Sequence, residues 1–127
     1  MPRLASIAPV FSVADVDATI RWYEEHLGCV SFPFPPSPPH VFAIVSRDDI
    51  EIMFQRIDAY LKPEIYNSRS GGVWDAYFRM SGVRDFYEAI RNEVEIKQLL
   101  RQQPYGAWEF EVKDPNGYIL VFSEMAE

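Results

Sequence analysis

The chain has 127 residues, 48% hydrophobic and 15% aromatic, which suits one domain or two small halves sharing a core and excludes a disordered chain. Its 19 acidic residues against 12 basic ones give a formal charge of −7, so nucleic acid and anionic membrane are poor partners while a cationic small molecule suits the field. The single cysteine, Cys29, excludes an intrachain disulfide and a cysteine-based zinc cluster; lying after Gly28 in an apolar run, it reads as a buried structural thiol. No apolar segment approaches the roughly 18 residues that span a bilayer, and no basic stretch leads into a long apolar run at the N-terminus, so a cytoplasmic location is expected.

In chain order, Leu4 to Phe11 reads as a buried strand interrupted by Pro9, which places it at an edge or a bulge. Asp15 can cap a helix whose Val16, Thr19, Ile20, Tyr23 and Leu27 recur at spacings of three and four; His26 then sits in the last turn as an exposed residue and Gly28 ends the helix. A strand through Val30, Phe32 and Phe34 runs into Pro35-Pro36-Ser37-Pro38-Pro39, a stiff connection that neither helix nor central strand can cross. Val41 to Val45 and Ile50 to Phe54 then form a hairpin around Arg47-Asp48-Asp49.

A long connector over residues 57–72 contains Pro63, Asn67, Ser68, Ser70 and Gly71-Gly72, and connectors of this length often carry function. Val73 to Met80 reads as a strand, and Val83, Phe86, Tyr87 and Ile90 as a second amphipathic helix. Three strands follow, Ile96 to Leu100, Trp108 to Val112 and Tyr118 to Phe122, the last two joined by the turn Asp114-Pro115-Asn116-Gly117. The order strand, helix, strand, strand, strand thus occurs twice, over residues 1–56 and 73–127, with Trp22-Tyr23 answered by Phe86-Tyr87. The expected fold class is α+β: two βαβββ repeats whose curved mixed sheets surround a cleft within a single domain of residues 1–127.

Strand alternation puts Trp74, Ala76, Phe78 and Met80 on one side, under a helix, and Val73, Asp75, Tyr77 and Arg79 on the other. By the same rule Glu109 and Glu111 point away from Trp108, Phe110 and Val112, and Glu51 points away from Ile50 and Ile52. The expected ligand-binding residues are therefore Glu51, Asp75, Tyr77, Tyr105, Glu109 and Glu111, an acidic and aromatic set suited to a planar or cationic guest. A half-exposed sheet with its polar side merely facing water gives the same alternation. Asp75 in mid-strand needs a partner, and Arg79 is a candidate.

The chain resembles the glyoxalase/bleomycin-resistance/dioxygenase, or vicinal oxygen chelate, superfamily. The resemblance rests on the run from Asp15 to Tyr23 with Leu27-Gly28, on Gln103-Pro104-Tyr105-Gly106, and on Asp114-Pro115-Asn116-Gly117 leading into Tyr118 to Phe122. Pro9-Val10-Phe11 ahead of Asp15 is most similar to bleomycin-resistance proteins, which sequester a cationic antibiotic without chemistry; the spacing from Gly106 to Asp114 is one residue longer than usual. Superfamily enzymes hold a divalent metal with strand-borne His, Glu or Gln, and the resemblance puts those positions at Ala8, near Asp75 and at Val121, with a further one at Glu51. Only Asp75 and Glu51 offer donors, fewer than the roughly three that a catalytic site needs. His26 and His40 form no metal-binding pair, and no nucleophile, phosphate or dinucleotide motif is present.

The resemblance therefore implies a metal-free binding protein with no cofactor, acting as a homodimer, with resistance to a drug or toxin by sequestration as its role. The alternative is a divergent metal-dependent lyase or isomerase, or a ring-cleaving dioxygenase. A regulatory module that kept the fold and lost the ligand is a third reading.

Overall fold

The computed structural model describes residues 1–126, and the chain divides into two compact units, Met1–Leu61 and Lys62–Glu127. Most of the connector thus belongs to the second unit. The first unit contains strand β1 (Val10–Val13), helix α1 (Val16–Leu27) and strands β2 (Val30–Phe34), β3 (Phe42–Arg47) and β4 (Ile50–Arg56); the second contains β5 (Ala76–Arg79), α2 (Val83–Ile90), β6 (Glu95–Gln102), β7 (Ala107–Lys113) and β8 (Ile119–Met125). The sheet orders are β1-β4-β3-β2 and β5-β8-β7-β6. In each, the strand before the helix pairs in parallel with the last strand of its unit, while the other pairs are antiparallel. The two units therefore repeat one topology.

Helix α1 starts where its cap chemistry requires. The Asp15 carboxylate accepts from the Ala18 N–H at 2.9 Å, offsetting one unsatisfied donor of the first turn. Gly28 ends the helix in the left-handed region, φ 67°, and donates its N–H to the Tyr23 carbonyl. The stripe Val16, Thr19, Ile20, Tyr23 and Leu27 is buried, and Tyr23 meets Phe54 at 4.9 Å between ring centroids. Cys29 is buried too, and burial pushes its thiol up to about 11, consistent with an inert structural role.

In the second unit α2 covers an aromatic cluster. Phe78 stacks on Phe122 at 4.8 Å and Phe110 on Phe122 at 5.2 Å, while Tyr87 meets Phe110 edge-on at 5.0 Å. The Asp114 to Gly117 turn closes as expected: Asp114 Oδ1 accepts from the Asn116 and Tyr118 N–H groups at 2.8 and 2.9 Å. Gly117 takes φ 95°, a conformation open to glycine.

Several expectations are corrected. The first strand is short, beginning at Val10, and residues 1–9 lie outside any strand. Leu4 and Ile7 are 100% and 96% exposed, so apolar character there buys no burial, and Pro9 has no N–H for a ladder. Strand β5 begins at Ala76 rather than Val73. His26 is not a free surface imidazole but packs edge-on against Trp22 at 5.5 Å. His40 is half-buried and fastens the proline-rich loop, with Nδ1 2.7 Å from the Pro35 carbonyl and its backbone N–H donating to Asp17 at 2.9 Å.

Candidate functional site

Strand β7 presents Glu109 and Glu111 on the face of its sheet opposite α2, two residues apart, as strand alternation requires. The face is not a solvated one: the two side chains are 0% and 1% exposed. Burying a carboxylate is costly unless each oxygen finds a donor, and here the donors are aromatic. Tyr77 donates to Glu109 Oε2 in a very short bond, and Tyr105 donates to Oε1 at 2.6 Å. Tyr66 donates to Glu111 Oε1 at 2.5 Å, and the Trp74 indole N–H donates to Oε2 at 3.1 Å. Tyr77 also lies 2.8 Å from the Ser123 hydroxyl, from which its oxygen can accept while its own hydrogen goes to Glu109.

These bonds keep the phenols protonated. Burial, then the bond to Glu111, pushes the Tyr66 hydroxyl up to about 12. Burial and Glu109 likewise raise Tyr77 and Tyr105 above the usual tyrosine value. Trp74 and Tyr77 lie 5.5 Å apart between ring centroids, the Arg79 guanidinium sits 5.4 Å over the Tyr77 ring, and Lys97 Nζ sits 4.7 Å over the Tyr66 ring. Tyr105 and Trp74 remain 53% and 42% exposed. The arrangement is thus a set of aromatic side chains oriented from beneath by two buried negative charges. It has no activated nucleophile, and its chemistry is stacking, cation–π attraction and hydrogen bonding.

Of the expected ligand-binding residues, Tyr77, Tyr105 and Glu109 come together in one hydrogen-bonded group, and Glu111 joins them through Trp74. Asp75 does not: its carboxylate lies 3.4 Å from Lys62 Nζ and accepts from the Ile119 N–H at 2.8 Å. Lys62, not Arg79, is its partner. Glu51 lies on β4 in the first unit, exposed, opposite Ser46. Trp74 was expected under the helix; since regular alternation starts only at Ala76, its indole turns to the carboxylate side. Tyr66 was hidden in the connector, where no periodicity marks a side chain's direction. Ser123 stands opposite Glu109 in the β7–β8 register, which the hairpin turn alone could have revealed.

The positions where the resemblance puts metal ligands offer few donors. Val121, at one position where the resemblance puts a ligand, is fully buried and has no donor, and Asp75 is committed to Lys62 and a backbone N–H. Among the described residues no three His, Cys, Asp or Glu side chains converge as a metal would require. The first unit holds a cavity of about 250 Å³ bordered by Asp17, Glu24 and His40, and none of the expected site residues lines it.

No protein-family model matches the chain, and no curated protein matches it by sequence. Solved structures do match. TioX from Micromonospora sp. ML1 superposes with a TM-score of 0.75 at 16% identity, covering 96% of this chain and 99% of that one. A bleomycin-binding protein from bleomycin-producing Streptomyces verticillus, solved with copper(II)-bleomycin, gives 0.70 at 20% identity over the whole of both chains. A glyoxalase-related enzyme from Clostridium phytofermentans gives 0.74 at 17% identity over 98% of both. The shared element order, the parallel pairing of first and last strands in each unit and these superpositions give the chain the glyoxalase/bleomycin-resistance fold.

Proposed function

We propose that the protein binds a planar, cationic small molecule without metal or chemistry, and that its role is sequestration of a drug or toxin. The observation that carries this reading is the pair of buried carboxylates, Glu109 and Glu111, whose partners are phenols and an indole. Negative charge held behind an aromatic surface strengthens its attraction for a cation, and the exposed parts of Tyr105 and Trp74 offer stacking area. Tyr77, Tyr105, Glu109 and Glu111 are its central residues; Asp75 is paired with Lys62, and Glu51 stands on the first unit. The bleomycin-binding neighbour supports a small-molecule ligand, and the −7 net charge favours a cationic one.

A homodimer in the cytoplasm completes the proposal. The exposed Leu4 and Ile7, with Phe32 and Phe34 at 61% and 63% exposure on the edge strand β2, are apolar area of the kind that association covers.

Calorimetric titration with bleomycin-type and other planar cations tests the reading, with metal-stripped protein as the sample. Binding that survives removal of divalent ions and weakens about tenfold in Tyr105→Ala supports it, on the scale of one stacking contact. Absence of binding across the series sinks it, and binding or turnover that requires an added divalent ion favours the metalloenzyme instead.

A further inference from the structure

Residues 62–75 form a loop with closed feet. Lys62 at one end lies 3.4 Å from Asp75 at the other, and its ammonium also sits 5.4 Å over the Tyr118 ring. Asp75 is in turn anchored to β8 by the bond from the Ile119 N–H, and its own N–H donates to the Ile119 carbonyl at 2.9 Å. Between these feet the backbone bonds are internal to the loop, Ser68 N–H to the Ile65 carbonyl at 2.9 Å and Gly72 N–H to the Arg69 carbonyl at 3.3 Å. Side chains make the remaining attachments to the sheet: Tyr66 to Glu111 at 2.5 Å, Trp74, beside the Asp75 foot, to the same carboxylate at 3.1 Å, Glu64 to Lys113 at 3.5 Å, and the Lys97 ammonium over the Tyr66 ring. Gly72 is shaped to this closed state, since its φ is +87° and a Cβ there would stand 2.7 Å from the Tyr66 ring.

We propose that this loop is a latch that opens at Tyr66 about its Lys62–Asp75 base, uncovering Oε1 of Glu111 while Trp74 keeps Oε2 and the sheet stays folded. A segment fastened by side chains, with no ladder to the sheet, opens at a lower free energy than the strands beneath it. The fixed feet confine the opening to the loop. Lifting Tyr66 removes one donor from a buried carboxylate, so the open state favours a guest that brings an N–H donor of its own. That last step rests on the ligand reading above; the opening itself does not, and can be measured with no ligand present.

The test is timed trypsin cleavage of the full chain after the exposed Arg69, read by the masses of the fragment that ends at Arg69 and of fragment 70–127. Tyr66→Phe deletes the hydroxyl that holds the latch, and Gly72→Ala crowds the same ring from the other side. Both are expected to accelerate this cleavage about tenfold, the scale of a hydrogen bond to a charged group, with cleavage after Lys113 in β7 unchanged. Rates at Arg69 within about twofold of the parent in both variants would overturn the latch, as would equal acceleration at Lys113, which signals global loosening. If Arg69 cleavage accelerates while no planar cation binds, the latch stands and the ligand reading fails; a cation that binds the parent protein without changing Arg69 cleavage removes the latch from ligand entry.

Discussion

Glu109 shows how one residue commits its neighbours. Its two oxygens take Tyr77 and Tyr105 as donors, so removing either phenol leaves a buried carboxylate short of a partner. Tyr105→Phe should cost about 1–3 kcal/mol, measured by urea denaturation at neutral pH, although it removes a single oxygen from a half-exposed side chain. Tyr66 gives a pH signature. Its hydroxyl titrates at about 12 in the folded protein against about 10 in an unfolded chain. The raised value means that its stabilising contribution is complete below about pH 10 and is lost as pH rises toward about 12. Denaturation midpoints over that range, compared between the parent and Tyr66→Phe, should converge at the alkaline end; a difference that persists undiminished would contradict the assignment.

At the scale of elements, α1 was legible because its signals are local. Cap, stripe and stop are each a matter of residue type at a fixed offset, and the structure buries the same five residues that the spacing of three and four selects. Asp15→Ala should therefore destabilise the protein by about 1 kcal/mol, the usual value of an N-cap, and leave the helix boundaries unchanged by amide exchange. The first and fifth strands were less legible. Apolar composition extends the first back to Leu4 and the fifth back to Val73, yet a strand exists only where another strand offers its hydrogen bonds, and β4 and β8 meet them from Val10 and Ala76 onward. Trp74, two residues before the ladder, is thereby free to turn toward Glu111.

For the molecule as a whole, the repeat predicts matched cores. Phe54 in the first unit and Phe110 in the second are both fully buried under their helices, and truncation of either to alanine should cost about 3–5 kcal/mol; comparable losses in thermal denaturation would show that both units depend on equivalent layers. The exposed Leu4 and Ile7 predict concentration dependence. Sedimentation of the parent should reveal a dimer that Leu4→Ser with Ile7→Ser weakens, and a monomer at all concentrations in both proteins would exclude the homodimer.

The sequence by itself determined the order of elements, the doubled topology, the caps of α1, the turn at Asp114 and which residues of β7 share a face, because each follows from short-range periodicity or backbone preference. It also brought Tyr77, Tyr105, Glu109 and Glu111 forward as candidates. Only the tertiary structure decided how they are used. The carboxylates are buried and saturated by aromatic donors, two of which, Tyr66 and Trp74, come from a loop without periodicity, and Asp75 is drawn off to Lys62. Such pairings join residues far apart in the chain, and their selection rests on the cost of leaving a buried charge without a donor, a quantity that exists only once the chain has folded.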